Sequence, residues 1–360
     1  MYGKPHQCNA DLSNLAEGDA MDATNTYSIG LPQSDAFKDS AGVSISGTSK
    51  DDVVNAVMTV PGQPRPSAFD DKIFGYAGND KLSGLAGDDH IDGGLGRDLL
   101  IGGQGADVLM GGKGQDTVSY SGAAEGVGLS FSDVDGSGLD GYFANATSGG
   151  LLGDAKGDSY TSIEVVIGSK FSDAIGGGTQ EMQFFLGAGD DIFDTNYYLD
   201  VTDKVHGQSG ADRIWGGKGN DSLFGDAGQD QIFGEDGNDT IVGGNGRDFL
   251  SGGVGADNFV LSNRTSSQDV IGDFETGIDS LQISAKLFRG GLVSGTALTA
   301  DQFEVNDSGV ATDGAVRFVF NSRNHELYFD PDGAGPQARQ LVAIFDISSP
   351  VLSVNDFVII

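Results

Sequence analysis

An apolar residue recurs every nine positions in two long stretches of this chain. From Gly75 to Ser119 the sequence reads GYAGNDKLS, GLAGDDHID, GGLGRDLLI, GGQGADVLM and GGKGQDTVS. From Gly207 to Val260 it reads GQSGADRIW, GGKGNDSLF, GDAGQDQIF, GEDGNDTIV, GGNGRDFLS and GGVGADNFV. Positions 1, 4 and 6 are Gly, Gly and Asp in all eleven units, and position 8 is always Leu, Ile, Val or Phe. A fixed period of this kind predicts a stacked repeat architecture.

Within each unit, the pattern predicts a turn followed by a short strand. Positions 7 to 9 form the strand, with position 8 pointing inward and positions 7 and 9 pointing outward, because side chains alternate along a strand. Positions 1 to 6 form the turn, where glycine permits a positive φ and close backbone approach. Two units complete one coil, so that like turns stack every 18 residues.

Less regular units flank both stretches and keep the Asp at position 6 and the apolar residue at position 8. They are GTSKDDVVN from residue 47, PSAFDDKIF from 66, GSKFSDAIG from 168, LGAGDDIFD from 186 and YLDVTDKVH from 198. We therefore expect an N-terminal segment of unknown structure (1–46), a first repeat block (47–119), a connector (120–167), a second block (168–260) and a C-terminal region (261–360).

Composition makes the acidic turns the chief chemical feature. The 360 residues carry 53 acidic and 20 basic side chains, a net charge of −33, and the acids are 45 Asp and only 8 Glu. Such a field repels nucleic acids and anionic lipids, which argues against a nucleic-acid partner. The sequence contains no run of about 18 apolar residues, and it therefore predicts no membrane-spanning helix. The single cysteine, Cys8, excludes an intrachain disulfide.

Stacked Asp-rich turns need a cation. Each coil supplies only two inward apolar side chains, too few to offset the entropy of ordering its backbone. Carboxylates in register also repel one another, and hard cations such as calcium prefer oxygen ligands of this kind. Calcium bound between turns would supply both missing contributions, so that binding is part of the folding free energy.

The repeat resembles the RTX nonapeptide GGxGxDxUx, a calcium-binding β-helix repeat. The resemblance implies an all-β fold: two right-handed parallel β-roll blocks joined by a β connector and closed by a capping C-terminal region. It also implies that each ion lies between repeats n and n+2, as for Asp80 with Asp98 or Asp212 with Asp230. About seven or more calcium ions are then expected.

The candidate metal ligands are the position-6 carboxylates and the position-4 backbone carbonyls. The carboxylates are those of Asp71, Asp80, Asp89, Asp98, Asp107, Asp116, Asp191, Asp203, Asp212, Asp221, Asp230, Asp239, Asp248 and Asp257. The carbonyls are those of Gly78, Gly87, Gly96, Gly105, Gly210, Gly219, Gly228, Gly237 and Gly246. The usual second glycine of the repeat is replaced by Tyr76, Leu85, Gln208, Asp226 and Glu235, where we expect intact ligands but altered affinity.

The connector and the C-terminal region carry weaker signals. Asp133, Asp135 and Ser137 imitate the start of an EF-hand loop, but Ala144 stands where its bidentate Glu is required. The tail, with SQDVIGDFETGIDSLQIS and HELYFDPDGAGPQARQLVAIF, resembles the C-terminal region of serralysin-type proteases, which implies a cap on the roll. Its end, VNDFVII, resembles the uncleaved signal that type I exporters read, and the N-terminus lacks a secretory pattern. These features imply a secreted, extracellular protein, with a cell-surface, polysaccharide or protein partner.

No catalytic constellation stands out, so the sequence favours a non-enzymatic protein. His325-Glu326 begins an HExxH zinc motif, but Phe329 replaces the second His. GVSIS at 42–46 lacks the last glycine of a GxSxG elbow. The main alternative is the calcium-binding carrier and secretion module of an enzyme such as a protease, lipase or polysaccharide-acting enzyme. A pore-forming toxin is disfavoured because the chain lacks a long apolar helical region, and an unrecognised hydrolase or lyase site on a face of the roll is a further alternative.

Overall fold

The chain folds into a parallel β-solenoid that is closed by a small β-rich region. The structure is a computed structural model that describes residues 41–131, 149–195, 199–261, 268–346 and 352–360. Within these ranges, regular structure other than strands is limited to the four-residue helix α1 (Ala285–Phe288) and two short 3-10 turns, Gly153–Ala155 and Val354–Asp356.

One face of the solenoid, called sheet 1, runs through both repeat blocks without a break. Its twelve strands, in spatial order, are β2 (Val53–Val54), β4 (Lys81–Ala86), β6 (Leu99–Gln104), β8 (Thr117–Ser119), β12 (Val165–Ile167), β14 (Gln183–Ala188), β16 (Lys204–Ser209), β18 (Ser222–Phe224), β20 (Thr240–Val242), β22 (Asn258–Leu261), β24 (Ser280–Ile283) and β29 (Phe357–Ile359). Strand β12 comes from the connector and pairs in parallel with β8 on one side and β14 on the other. The connector therefore continues the roll on this face.

The opposite face is divided into two sheets. Sheet 2 contains β1 (Ser44–Ser46), β3 (Lys72–Phe74), β5 (His90–Gly96), β7 (Val108–Gly114) and the connector strand β11 (Ser159–Thr161). Sheet 3 contains β10 (Gly149–Leu152), β9 (Gly128–Phe131), β13 (Ala174–Gly178), β15 (Ile192–Asp194), β17 (Arg213–Lys218), β19 (Gln231–Asp236), β21 (Phe249–Val254), β23 (Asp269–Ile271), β28 (Gln340–Phe345), β27 (Glu326–Phe329), β26 (Phe318–Asn321) and β25 (Phe303–Asn306). All pairings are parallel except β9–β10, β26–β27 and β27–β28.

The inward direction predicted for position 8 is confirmed. Residues at this position pair with their equivalents one coil away, as Leu82 does with Leu100. The following position-8 side chains are at most 1% exposed: Val54, Ile73, Leu82, Ile91, Leu100, Leu109, Val118, Ile175, Phe193, Val205, Ile214, Leu223, Ile232, Ile241, Leu250 and Phe259. These apolar side chains form two facing files, one from each face, and are the core of the solenoid.

Two details differ from the sequence-based expectation. Several strands are longer than three residues: β4 spans positions 7 to 9 of one unit and positions 1 to 3 of the next, because the turn backbone also pairs with the neighbouring coil. The solenoid also begins earlier than residue 47. Strand β1 (Ser44–Ser46) pairs with β3, and its Ile45 is fully buried.

The C-terminal region closes the solenoid, as the sequence predicts for a cap. Strands β28 and β29 add the last parallel strands to sheets 3 and 1. Behind them, phenylalanine rings pack at centroid separations of 5.1 to 5.9 Å, among them Phe288, Phe318 and Phe329. This cluster gives the cap a conventional apolar core. Residues 133–144, which carry the EF-hand-like pattern, lie outside the described residues.

Candidate metal centre

The position-6 aspartates stack in rows along the two edges of the solenoid, with two rows in each repeat block. Most of these carboxylates accept a hydrogen bond through Oδ1 from the backbone N–H of the aspartate one coil earlier; Asp203 and Asp71 accept it from Met182 and Val43. Asp80 N–H donates to Asp98 Oδ1 at 2.8 Å, and Asp212 N–H donates to Asp230 Oδ1 at 2.9 Å. Aspartates two repeats apart, which the sequence predicts as partners, are therefore neighbours in the fold. They are joined by a hydrogen bond and lie in register.

The second oxygen of these carboxylates is buried and has no hydrogen-bond partner. This holds for Oδ2 of Asp80, Asp89, Asp98, Asp107, Asp116, Asp191, Asp203, Asp212, Asp221, Asp230, Asp239, Asp248 and Asp257. These thirteen residues, each at most 2% exposed, are all among the fourteen aspartates predicted as ligands. A buried anionic oxygen without a donor is costly, so the rows lack a positive partner.

Glycine at position 1 leaves space for this oxygen. A Cβ on Gly93 would lie 2.4 Å from Asp98 Oδ2 and 2.8 Å from the carbonyl oxygen of Gly111 one coil later. On Gly225 the corresponding distances are 2.4 Å to Asp230 Oδ2 and 2.6 Å to the Gly243 carbonyl oxygen. The carboxylate oxygen and a backbone carbonyl thus border one small space that any larger residue would fill.

The position-4 glycines are required by close contact between coils. A Cβ on Gly96 would lie 1.7 Å from the Gly78 carbonyl oxygen, and one on Gly246 would lie 1.4 Å from that of Gly228. Seven of the nine predicted ligand carbonyls at position 4 therefore lie against the backbone of the next coil. Its role as a ligand stays a prediction, and the carbonyls of position 1 are additional candidates that the sequence reading missed.

Without a bound cation, burial disfavours the ionised form of these carboxylates and raises their pKa values. It raises the pKa of Asp191 and Asp221 to about 8. It likewise raises the pKa of Asp89, Asp203, Asp212, Asp230 and Asp239 to about 7. The hydrogen bond from the preceding coil opposes this shift, whereas the negative charge of neighbouring acidic residues adds to the rise in most of them. A bound divalent cation would reverse the balance by stabilising the ionised form.

The donor set fits calcium. It consists of hard oxygens, namely carboxylates stacked in pairs and backbone carbonyls beside them, as Ca²⁺ prefers. Among the described residues, no three or more His, Cys, Asp or Glu side chains gather into one cluster. Pairs of carboxylates completed by carbonyls do not require such a cluster.

A second row of side chains supports the turns and was missed by the sequence reading. At position 5, Asn79 Oδ1 accepts the backbone N–H of Arg97 at 2.9 Å, and Asn238 Oδ1 accepts that of Ala256 at 2.7 Å. Asp88 does the same for Ala106. The recurrence of Asn and Asp at position 5 was the available signal.

Comparison with known families identifies the repeats. A model of the RTX calcium-binding nonapeptide repeat matches four times, at residues 67–100, 83–118, 200–232 and 228–259. Both blocks therefore contain RTX calcium-binding repeats, over residues 67–118 and 200–259. A comparison with curated proteins found no match. The serralysin-like character of the tail stays a prediction. No helix in the described ranges has the length and apolar character needed to cross a membrane.

Proposed function

We propose that this chain is a secreted protein whose repeat blocks fold when their carboxylate rows bind calcium outside the cell. The observation that carries the proposal is the set of thirteen buried carboxylate oxygens without a donor. In the absence of a cation, these oxygens and a net charge of −33 oppose the folded state. At the low calcium concentration of a cytoplasm, the repeat blocks would therefore stay unfolded.

The position of the chain's last residues supports folding after export. We propose that a type I exporter reads this tail. In the folded protein, however, Phe357 and Ile359 are buried in strand β29, which pairs with β24 in sheet 1. A folded chain would hide the segment, so recognition has to precede folding. Calcium ligation outside would then pull the chain outward and prevent its return.

The test is a calcium titration of the calcium-free protein, followed by far-UV circular dichroism and hydrodynamic radius. We expect an expanded chain to collapse to a compact, β-rich state between sub-millimolar and millimolar calcium. A chain that is compact in chelator and indifferent to calcium would contradict the proposal. For export, secretion that is unaffected by removal of external calcium would contradict the outward pull while leaving calcium-dependent folding in place.

Outside the cell, we propose a non-enzymatic role in attachment to a surface or matrix. The described residues outside the repeats support this reading: they form connector strands and a cap, and Glu326 to Phe329 of the partial zinc motif is strand β27 instead of a helix. Turnover of a peptide, ester or polysaccharide substrate by the purified, calcium-loaded protein would contradict this role and favour an enzyme or its carrier module.

A further inference from the structure

Some position-6 carboxylates have no free oxygen. Asp71 Oδ2 accepts the backbone N–H of Ser67 at 2.7 Å, and its Oδ1 accepts the Ser67 hydroxyl at 2.9 Å. Asp173 is bound in the same way by Ser169, at 2.6 Å from the N–H and 2.7 Å from the hydroxyl. In both units the donor stands at position 2, four residues before the aspartate, and fills the place that is left open in the other coils.

Two further units repeat this arrangement without the hydroxyl contact. Asp52 Oδ2 accepts the backbone N–H of Thr48 at 2.6 Å, and Asp279 Oδ2 accepts that of Glu275 at 2.7 Å. A fifth carboxylate, Asp158 in the connector, has its Oδ2 bound by the Tyr120 hydroxyl at 2.5 Å. We call these five residues the capped carboxylates.

The capped carboxylates lie at five of the eight ends of the rows of free ones. At the other three ends, Asp116 donates to Glu164, Met182 donates to Asp203, and Asp248 donates to Asp269. Before the first block, the N–H groups of Asp52 and Asp71 donate to Asp80 and Asp89. After it, Asp107 donates to Asp158. The second block is flanked in the same manner: Asp173 donates to Asp191, and Asp257 donates to Asp279. Each capped carboxylate is thus the immediate neighbour of one whose Oδ2 is free.

Backbone conformation at position 2 differs between the eleven regular units and the four units that are capped by a position-2 N–H. In all eleven regular units this residue has a positive φ, from 67° at Asp226 to 109° at Gly103. Ser67, Ser169, Thr48 and Glu275 are not among the residues with positive φ. The ordinary conformation presents the position-2 N–H to the carboxylate, whereas the left-handed one leaves Oδ2 without a donor.

We propose that a hydrogen-bond donor of the chain replaces calcium at the five capped carboxylates, and that, where this donor is the position-2 N–H, the conformation at position 2 decides whether the coil takes an ion. The inference rests on the calcium binding proposed above. Calcium then occupies coils whose Oδ2 is free and not those of the capped carboxylates. Asp71, one of the predicted ligands, belongs to a closing coil that needs no ion. A row that ends in a capped carboxylate can end without exposing an unfilled calcium site.

The test converts a capped unit into a regular one in the full chain. The double variant Ser169→Gly with Phe171→Gly turns GSKFSDAIG into GGKGSDAIG, which has glycine at positions 1, 2 and 4. We expect the folded variant to hold at least one more calcium ion per chain than the wild type, measured by metal content after dialysis at saturating calcium. Ser169→Ala is the matched control: it removes the hydroxyl but keeps the N–H donor, so its ion content should equal that of the wild type.

A second double variant keeps the proposal testable if the first one does not fold. Thr48 and Lys50 are exposed, so Thr48→Gly with Lys50→Gly changes the first coil at the surface alone. It is also expected to gain at least one ion. A converted variant that keeps the wild-type circular dichroism and the wild-type ion content would overturn the proposal, as would a gain of an ion in Ser169→Ala. Wild-type protein that binds no calcium would instead contradict the proposed function itself.

Discussion

The repeat blocks and the C-terminal region of this chain are stabilised in different ways. A regular repeat unit adds one fully buried apolar side chain and one buried carboxylate to the solenoid. The C-terminal region instead packs rings such as Phe288, Phe318 and Phe329 against one another. Of the fourteen described buried side-chain atoms without a hydrogen-bond partner, thirteen belong to the repeats and one, Asp332 Oδ1, belongs to the C-terminal region.

This difference indicates which region of the chain depends on calcium for its stability. Burial of one aliphatic side chain contributes about 1.5–3 kcal/mol, which is much less than the cost of ordering nine residues. The repeats therefore need the added free energy of ligation. The cap has apolar packing of its own and satisfied buried carboxylates, such as Asp356, which accepts the N–H groups of Ser353 and Gly277. It can offer a preformed edge on which the last coils assemble.

The largest effect expected without calcium is that of pH on the repeat blocks. Many of their carboxylates have raised folded-state pKa values, from 3.8 to about 6 for Asp107 and to about 8 for Asp191. Because the folded state binds protons more tightly than the unfolded state, stability is greatest below pH 4 and falls as the pH rises through 6 to 8. Calcium-stripped protein should therefore gain β structure on acidification from pH 8.5 to 4.5, measured by circular dichroism. Loss of β structure over the same interval would contradict the account.

The next effect concerns the cap. Phe318 is fully buried and lies 5.2 Å from the Phe329 ring centroid. Phe318→Ala should cost about 3–5 kcal/mol of unfolding free energy, as large-to-small substitutions of aromatic core residues do. Hydrogen-exchange protection over residues 281–346 should decrease both with and without calcium. Phe249→Ala, at an outward position in the repeats, is the control that leaves this protection in place. If, without calcium, the cap had the same hydrogen-exchange protection in Phe318→Ala as in the wild type, the aromatic core would not be what stabilises the cap.

A smaller effect is expected from a single ligand in the second block. Asp230→Asn keeps an oxygen that can accept the Asp212 N–H but removes the negative charge. The affinity of the affected site for calcium should fall about tenfold, which corresponds to about 1.4 kcal/mol, and the calcium concentration at the folding midpoint should rise. The only tryptophan, Trp215, stacks on Phe233 in adjacent coils, so its fluorescence reports on this block. Asp301→Asn, at an exposed position, should leave the midpoint unchanged; an unchanged midpoint in Asp230→Asn would contradict the assigned role.

The smallest effect concerns backbone strain. Leu85 has a φ of 83°, in the left-handed region that costs a residue with a Cβ about 1–2 kcal/mol. Leu85→Gly should therefore raise the unfolding free energy of the calcium-loaded protein by up to about 1 kcal/mol, once the greater entropy of glycine in the unfolded chain is subtracted. The neighbouring control Leu95→Gly has an ordinary φ and should be destabilising. Equal effects in urea unfolding would show that position 2 stores no strain.

The repeating features of this structure could be predicted from the sequence because they depend on local spacing. The inward position 8 and the row of position-6 carboxylates follow directly from the nine-residue period. The positive φ at Leu85 and the four other non-glycine residues at position 2 is also consistent with the glycine that usually stands there.

Features that depend on pairing between distant segments could not be predicted. No local signal shows that β12 joins both blocks, or that Ser44 to Ser46 adds a strand before the first recognisable unit. The capping of Asp71 by Ser67 and of Asp158 by Tyr120 was missed for a related reason. A carboxylate at position 6 looks alike in sequence whether its second oxygen faces a cation or a donor of the chain.

Hydrogen exchange of the full chain in chelator and in saturating calcium, read by mass spectrometry, tests the central claim most directly. We predict that, in chelator, residues 75–119 and 207–260 exchange rapidly while residues 281–346 keep their protection. In calcium, all three segments should be protected. Equal protection of the repeats in chelator and in calcium would contradict the claim that ligation of the carboxylate rows holds the solenoid together.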